Sequence, residues 1–362
     1  MAVTKEQEVR LALPGKGTLE ASTLSFLAEC GMKVNRSNPR QYLARIASMP
    51  GLEVVFQRAA DIPMLVLNGD ATLGITGYDI LAEHLGYSDD EIVDGDNGED
   101  IIVLERNLDY GACRLVVAVP ETWIDVSTCA DLWHLAGYYA TQKGRGLRIA
   151  TKYPILTGQF LRRHGITHCK IVSPHGALEA APLTDTADLI VDLTETGTTL
   201  RENHLKLLDD GIVLRSQACL IANAQLLNHN KQALRIASMM LELIDARMQA
   251  RNRSLLTAHL QVEGSDGIQR ICQQLKSRIP GFEFRIASSD GRGLAVSEKA
   301  GPNGYTISGV VRVGNTSSEL LEAVAILRSM GAFNIDVTPL TYRFERESVR
   351  VRSLHERLKR LH

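Results

Sequence analysis

Residues 188–204 read ADLIVDLTETGTTLREN, and they hold the densest set of side chains able to do chemistry. Residues 189–193 are a short apolar run with β-branched members, which predicts a buried strand. A turn of hydroxyls around Gly197 follows at 194–199. Residues 200–208 carry leucines at helical spacing, which predicts a helix. A strand that ends in such a turn and opens a helix gathers backbone N–H groups at one spot, an arrangement suited to anions. The hydroxyls of Thr194, Thr196, Thr198 and Thr199 add donors, and Gly197 lets the backbone approach an oxyanion closely. A helix dipole alone gives an anion only about 0.3–1 kcal/mol, so a phosphate site here needs the clustered donors and a cation. Asp192 and Glu195 flank the turn and suit a Mg²⁺ that bridges phosphate oxygens. The competing reading is a turn that merely caps a helix. Four threonines and two carboxylates at one strand end favour phosphate.

These residues must be positioned by an α/β framework. Strands are predicted at 9–13, 53–57, 72–76, 114–119, 147–151, 170–172 and 189–193, with helices between most of them. Helices are predicted at 19–30 and 78–84, and Asp61 is placed as the cap of a short helix with Pro63 in its first turn. In open α/β sheets ligands collect at the carboxyl ends of strands. Lys16, Gly77, Asp79, Thr151, Lys152 and the 194–199 turn all fall there. Residues 231–248 form an amphipathic helix that reads as a connector. Beyond it the pattern is strand 255–262, helix 267–278, strands 282–287 and 305–313, helix 317–331 and strand 334–341. This β-α-β-β-α-β order is ferredoxin-like. The basic 342–362 tail reads as a solvated helix or an oligomer contact.

With 362 residues, two or three domains are expected. The net charge of −2 argues against a dedicated nucleic-acid binder. No run reaches the roughly 18 apolar residues of a membrane span, and the first ten residues carry no apolar leader core. A cytoplasmic location is expected, with a processed plastid-stroma chain as the alternative. The six cysteines form no C-x-x-C pair and read as buried thiols of a reducing compartment.

Several segments in the same order resemble the ATP phosphoribosyltransferase family, the first enzyme of histidine biosynthesis. The turn DLTETGTTLREN is similar to that family's phosphoribosyl pyrophosphate loop, and GDATLGITGYDIL (69–81) to its "D-L-G-I-T-G-x-D" segment. CRLVVAVP (113–120), LRIATKYP (147–154) and GALEAAPLTDTADLIVDL (176–193) resemble its following strands. VNRSNPRQY, EVVFQR and LTYRFERE resemble the branch found in plants and some bacteria. One departure stands out. The family's Lys-Gly-Arg after the first strand is Lys16-Gly17-Thr18 here.

The resemblance implies a two-lobed catalytic part of type II periplasmic-binding-protein form, followed by an ACT-like regulatory domain that binds histidine. Residues 1–105 with 194–230 would form lobe I, 106–193 lobe II, 231–254 the connecting helix, and 255–362 the regulatory domain and tail. Asp192, Glu195, Thr196, Gly197, Thr198 and Thr199 would bind phosphoribosyl pyrophosphate, with Asp192 and Glu195 at the metal. Lys16, Gly77, Tyr78, Asp79, Arg114, Thr151 and Lys152 would serve ATP and pyrophosphate. For Asp79 the plainer reading is a helix cap, and for Arg114 a surface ion pair. Ser265, Asp266, Thr306 and Ser308 are the expected histidine ligands. ATP, phosphoribosyl pyrophosphate, L-histidine, AMP and Mg²⁺ are the expected ligands, and a homo-oligomer, hexameric by family resemblance, the expected assembly. The alternatives are a small-molecule sensor or solute-binding protein on the same two lobes, or a weakly active regulatory paralogue.

Overall fold

The computed structural model describes residues 8–38, 40–86, 100–173, 176–261, 270, 273–274, 277, 283–288, 304–312 and 318–360. The chain divides into two units, Met1–Met240 with Arg352–His362, and Leu241–Val351.

The first unit contains twelve described strands: β1 (Val9–Pro14), β2 (Val34–Asn35), β3 (Leu43–Ile46), β4 (Leu52–Gln57), β5 (Leu73–Gly77), β6 (Ile101–Glu105), β7 (Cys113–Pro120), β8 (Leu147–Thr151), β9 (Cys169–Val172), β10 (Leu189–Thr194), β11 (Leu205–Ser216) and β12 (Ala218–Asn223). They build two sheets, one ordered β2-β3-β4-β1-β5-β12-β6 and the other β11-β7-β10-β8-β9. In each, three strands alternate with helices in sequence and lie in the order second, first, third. Antiparallel strands complete the sheet. β5 and β12 are buried at every position, as expected for central strands covered on both faces.

The helices of this unit are α1 (Thr18–Glu29), α2 (Ile62–Leu67), α3 (Tyr78–Leu85), α4 (Cys129–Gln142), α5 (Pro154–Arg163), α6 (Thr198–Glu202), α7 (Ala224–His229) and the first half of α8 (Lys231–Ala250). α4 has a full capping box. The Asp131 N–H donates to Thr128 Oγ1, and the Thr128 N–H donates to the Asp131 carboxylate. Leu132, Ala136, Leu156 and Phe160 of α4 and α5 pack with Leu115, Val117 and Val191 of the second sheet. Its other face buries Val116, Ala118 and Ile190 against Leu178 and Leu200. Among the described residues no helix is long and apolar enough to cross a membrane. The described cysteines are free thiols, buried or half-buried; Cys272 lies outside the described residues.

Three local expectations change. Asp61 makes no capping hydrogen bond, because the chain enters α2 through a 3₁₀ turn, Ala59–Asp61, with Pro63 in the first turn as read. The helix expected over 200–208 is the five-residue α6 instead. His204 has φ +56° and ends it, and from Leu205 the chain pairs antiparallel with β7. Strand pairing overrides the helical leucine spacing there. For the same reason 194–230, grouped above with lobe I, is divided between sheets: β11 belongs to the second and β12 to the first.

The second unit holds β13 (Arg253–Gln261), β14 (Glu283–Ser288), β15 (Gly304–Arg312), α9 (Ser318–Ser329) and β16 (Ala332–Pro339). The sheet order β14-β15-β13-β16, antiparallel throughout, is ferredoxin-like. Its core joins Leu256, Ala258, Leu260 and Ile307 to Ala323 and Leu327 of α9. Most of the helix expected at 267–278 falls outside the described residues. Asp245 of α8 is buried and accepts a 2.7 Å hydrogen bond from Ser348 and another from Arg350. The basic tail forms α10 (Val349–Arg360). It is not simply a solvated helix: Leu354 and Leu358 are buried and Arg357 donates to the Val103 carbonyl, so the chain's end returns to the first unit.

Candidate active site

Strand register brings the proposed site residues to two matching edges. β1 and β5 run parallel, with Leu11 opposite Leu73, so Lys16 and Gly77 leave the first sheet on the same edge. β12 enters there, with Ala218 opposite Gly77. In the second sheet Val191 lies opposite Thr151, and Thr194 opposite Arg114. Arg215 of β11 is the other neighbour of Arg114. Asp192 faces Val116, two positions from Arg114, so Asp192, Thr194, Arg114 and Arg215 share one face of the sheet. Arg215 escapes a sequence reading, because only the long-range pairing of β11 makes it a neighbour of Arg114.

The hydroxyl turn is locally self-organised. Gly197 adopts φ 79°, ψ 4°, a left-handed conformation that favours glycine. Its N–H donates to Thr194 Oγ1 at 2.8 Å, and the hydroxyls of Thr196 and Thr198 are 2.9 Å apart. Glu195, Thr196, Thr198 and Thr199 are exposed and accessible to a ligand. α6 has five residues, too short for a sizeable dipole, so the donors the turn offers to an anion are its own N–H and hydroxyl groups. Asp192 is half-buried, and its Oδ1 accepts the Leu193 N–H at 2.8 Å. Burial raises its carboxyl above the ordinary range, against the Leu193 N–H and the Lys152 charge, while Glu179 adds to the rise. A cation placed there would offset that cost. Lys16 and Lys152 are both exposed.

Gly77, Tyr78 and Asp79 are buried, and Asp79 is a hub. Its Oδ1 accepts Ser216 Oγ–H at 2.6 Å and its Oδ2 accepts the Tyr153 hydroxyl at 2.7 Å. Its N–H donates to Ser216 Oγ at 2.8 Å. An added Cβ at Gly77 would come within 2.5 Å of Asp79 Oδ1, so this hub requires glycine at 77. The Arg106 guanidinium lies over the Tyr78 ring, 4.2 Å from its centre. Thr151 is buried and its Oγ1 accepts the Tyr153 N–H at 2.9 Å, which fixes Tyr153 for Asp79. Glu83 of α3 accepts the N–H groups of Ile155 and Leu156 at 2.8 and 2.9 Å, capping α5 from the other sheet. Burial pushes the Cys113 thiol up to about 11, and the charges of Asp79 and Glu195 add to the rise. Cys113 lies opposite Ser216 of the hub, and its neighbour Arg114 lies opposite Thr194 of the turn, so the two features adjoin at this end of β7. Ser216 lies in no quoted motif, and Tyr153, although within LRIATKYP, carries no local signal that marks it as a partner of Asp79.

This geometry casts Asp79, Tyr153 and Ser216 as positioning residues that tie the two sheets beside the turn. Tyr153→Phe with Ser216→Ala strips a buried carboxylate of two partners. At about 1–3 kcal/mol for each buried group left unsatisfied, the double variant should lose at least about 2 kcal/mol in urea unfolding. A loss below about 0.5 kcal/mol would remove the hub from the account.

In the second unit Thr306 Oγ1 lies 3.0 Å from His259 Nδ1, and Ser308 Oγ 3.4 Å from Thr257 Oγ1. Ser265 and Asp266 lie outside the described residues.

Two α/β sheets of the same second-first-third order, with a hydroxyl turn at a strand-end edge, define a two-lobed protein of the type II periplasmic-binding-protein class. Within that class the chain belongs to the ATP phosphoribosyltransferase family. The family model described as "HisG: ATP phosphoribosyltransferase" matches residues 58–245. ATP phosphoribosyltransferase 2, chloroplastic, of Arabidopsis thaliana is 34% identical over 364 residues, covering 97% of this chain and 80% of that one. The ATP phosphoribosyltransferase of Brucella melitensis biotype 2 is 44% identical over 216 residues, 59% of this chain and 89% of that one. A solved ATP phosphoribosyl transferase (HisG:HisZ) complex from Thermotoga maritima is similar with a TM-score of 0.47 and 25% identity, over 66% of this chain and 98% of that one. The solute-binding alternative gives way to the enzyme.

Proposed function

We infer that this chain transfers the phosphoribosyl group of phosphoribosyl pyrophosphate to N1 of ATP, the first step of L-histidine biosynthesis. The observation that carries the site assignment is the turn Thr194–Thr199 around left-handed Gly197, on the sheet edge it shares with Asp192 and Arg114. Adenine N1 supplies the electron pair for the new bond to the anomeric carbon. The bond from that carbon to the pyrophosphate oxygen breaks, and pyrophosphate leaves with its electrons. No covalent enzyme intermediate is required, so the protein's work is alignment and charge stabilisation. The turn's N–H groups and the hydroxyls of Thr196, Thr198 and Thr199 hold the 5-phosphate of the ribose. Arg114, Arg215, Lys16 and Lys152 supply positive charge for pyrophosphate and triphosphate. Asp79 with Gly77 and Tyr78 shapes the nucleotide side and joins the lobes.

Asp192 and Glu195 fit a Mg²⁺: both offer carboxylate oxygen, and Asp192 is a carboxylate whose ionisation burial opposes. Two protein carboxylates are enough where substrate phosphates complete the coordination. When bound, Mg²⁺ neutralises pyrophosphate charge. The direct test mixes the chain with ATP, phosphoribosyl pyrophosphate and Mg²⁺ and follows formation of phosphoribosyl-ATP. Absence of product with all three present would overturn the reading.

Thr18 opens α1 and is exposed, behind Gly17 at φ 83°. If the family's arginine supplies charge there, Thr18→Arg raises kcat/KM at unchanged stability. An equal or lower value would show that Lys16 and the other cations already fill the role, and would count against the weakly active paralogue.

Regulation by L-histidine at the second unit, AMP as a further ligand, a homo-oligomer and a cytoplasmic location complete the reading. Thr306 and Ser308 are the described candidates for the histidine site. Histidine inhibition of the rate should weaken in Thr306→Val with Ser308→Ala, and an unchanged inhibition curve would place the histidine site elsewhere. The full chain is the right material for that test. A chain ending near residue 250 would also lose α10, whose residues from Arg352 onward belong to the first unit.

A further inference from the structure

Cys129, His164 and Asp210 come from three separate elements of the second lobe, and their Sγ, ring-nitrogen and carboxylate-oxygen atoms all lie within 4.8 Å of one another. Among the described residues this is the one cluster of three or more metal-ligating side chains so close together. We propose that these three residues form a binding site for a divalent cation of the zinc class, with a fourth position open to water. Thiolate, imidazole and carboxylate together are a zinc-type donor set, whereas Mg²⁺ takes oxygen donors alone. Zinc bonds of about 2.0–2.3 Å in tetrahedral geometry put ligand atoms about 3.3–3.6 Å apart. Closure therefore needs a movement of about 1 Å. His164 and Asp210 are exposed and can supply it by side-chain rotation.

Cys129 is the fixed member. It is buried at the first position of α4, held by the Thr128–Asp131 capping box. Its N–H donates to Asp210 Oδ1 at 2.7 Å. Asp210 sits where the β11 ladder slips register between Leu207 and Ile212, which frees it from the regular strand pattern. His164 follows the last turn of α5, its ring 4.4 Å from that of Phe160. The site lies away from the phosphate edge. Cys113 and Arg114 mark the β7 end at that edge, while Asp210, bonded to the Cys129 N–H, falls between Leu207 and Ile212, which pair with Ala118 and Val116 further along β7. A cation here would clip the start of α4, the end of α5 and the β11 irregularity into one piece. A redox or nucleophilic role fits less well. Burial and the hydrogen bond and charge of Asp210 push the Cys129 thiol up to about 12, so without a metal it stays protonated and unreactive.

The test uses the full chain, stripped of metal with a chelator and titrated with Co²⁺ as the probe. One Co²⁺ per chain should bind with a thiolate-to-metal charge-transfer band, and Zn²⁺ should displace it. Cys129→Ser should abolish the band. Because that core change affects packing, His164→Ala and Asp210→Asn, both at exposed positions, provide independent arms. Each should weaken Co²⁺ binding by more than about 10-fold and remove the rise in Tm that Zn²⁺ gives the unaltered chain. No thiolate band, a band that survives Cys129→Ser, or affinities unchanged in both surface variants would overturn the proposal.

Discussion

Replacing Thr198 and Thr199 together with alanine is expected to weaken phosphoribosyl pyrophosphate binding by about 100-fold or more, with little change in Tm. A hydrogen bond to a charged group is worth about 1.5–3 kcal/mol, and each 1.4 kcal/mol is tenfold in affinity. Two lost hydroxyls therefore reach at least two decades. The stability side follows from exposure. Both side chains are open to solvent, and the Thr198 hydroxyl bonds chiefly to that of Thr196. Surface changes of this kind usually stay within about 0.5 kcal/mol. The backbone geometry stays in place, since Gly197 and the Thr194 hydroxyl set the turn. Calorimetric titration with phosphoribosyl pyrophosphate reads the effect directly. Affinity within threefold of the unaltered chain would remove the turn from the substrate site.

The hydroxyl turn is legible in the sequence because it is local. Strand 189–193, four threonines and one glycine lie within eleven residues, and period and turn chemistry act over that distance. The ferredoxin-like order of the second unit was legible for the same reason. What escaped depends on long-range pairing. Leucines at 200, 205 and 208 suit a helix, yet β7 offers β11 an antiparallel partner, and the ladder wins. Arg215 and Ser216 reach the site only through that ladder. Tyr153 reaches Asp79, 74 positions earlier, only because α5 starts beside that carboxylate. The strand-end position of Asp79 is legible in the sequence, but its 4% exposure and the hydroxyl partners on both carboxylate oxygens are not, because Tyr153 and Ser216 reach it only through the fold.

The support of the hydroxyl turn from its far end gives a large stability effect with a definite pH dependence. β10 starts at Leu189, directly after Asp188, whose carboxylate is a buried anchor. Arg145 grips it through Nη1 at 2.5 Å and Nη2 at 2.9 Å. The Arg148 N–H donates to Oδ2 at 2.7 Å, and its Nη2 to Oδ1 at 3.0 Å. Breaking one partner of a buried ion pair costs about 3–5 kcal/mol. The arginine side chains here are 38% and 26% exposed and can rehydrate, so about 2–3 kcal/mol is expected for Asp188→Asn at neutral pH. The pH dependence has a definite sign. Burial alone would raise the Asp188 carboxyl, but the hydrogen bonds of Arg145 and Arg148 outweigh it and hold the group far below the ordinary carboxylate range. A lowered folded-state value means that its stabilisation is fully present above about pH 4, the unfolded value, and is lost as pH falls toward the folded one. The stability gap between the unaltered chain and Asp188→Asn should therefore be constant from pH 7 to about pH 5 and narrow below pH 4. Denaturant unfolding at several pH values measures it. A gap under about 0.5 kcal/mol at pH 7, or one that stays constant into acid, would show that the arginines do not hold this carboxylate ionised in the folded chain.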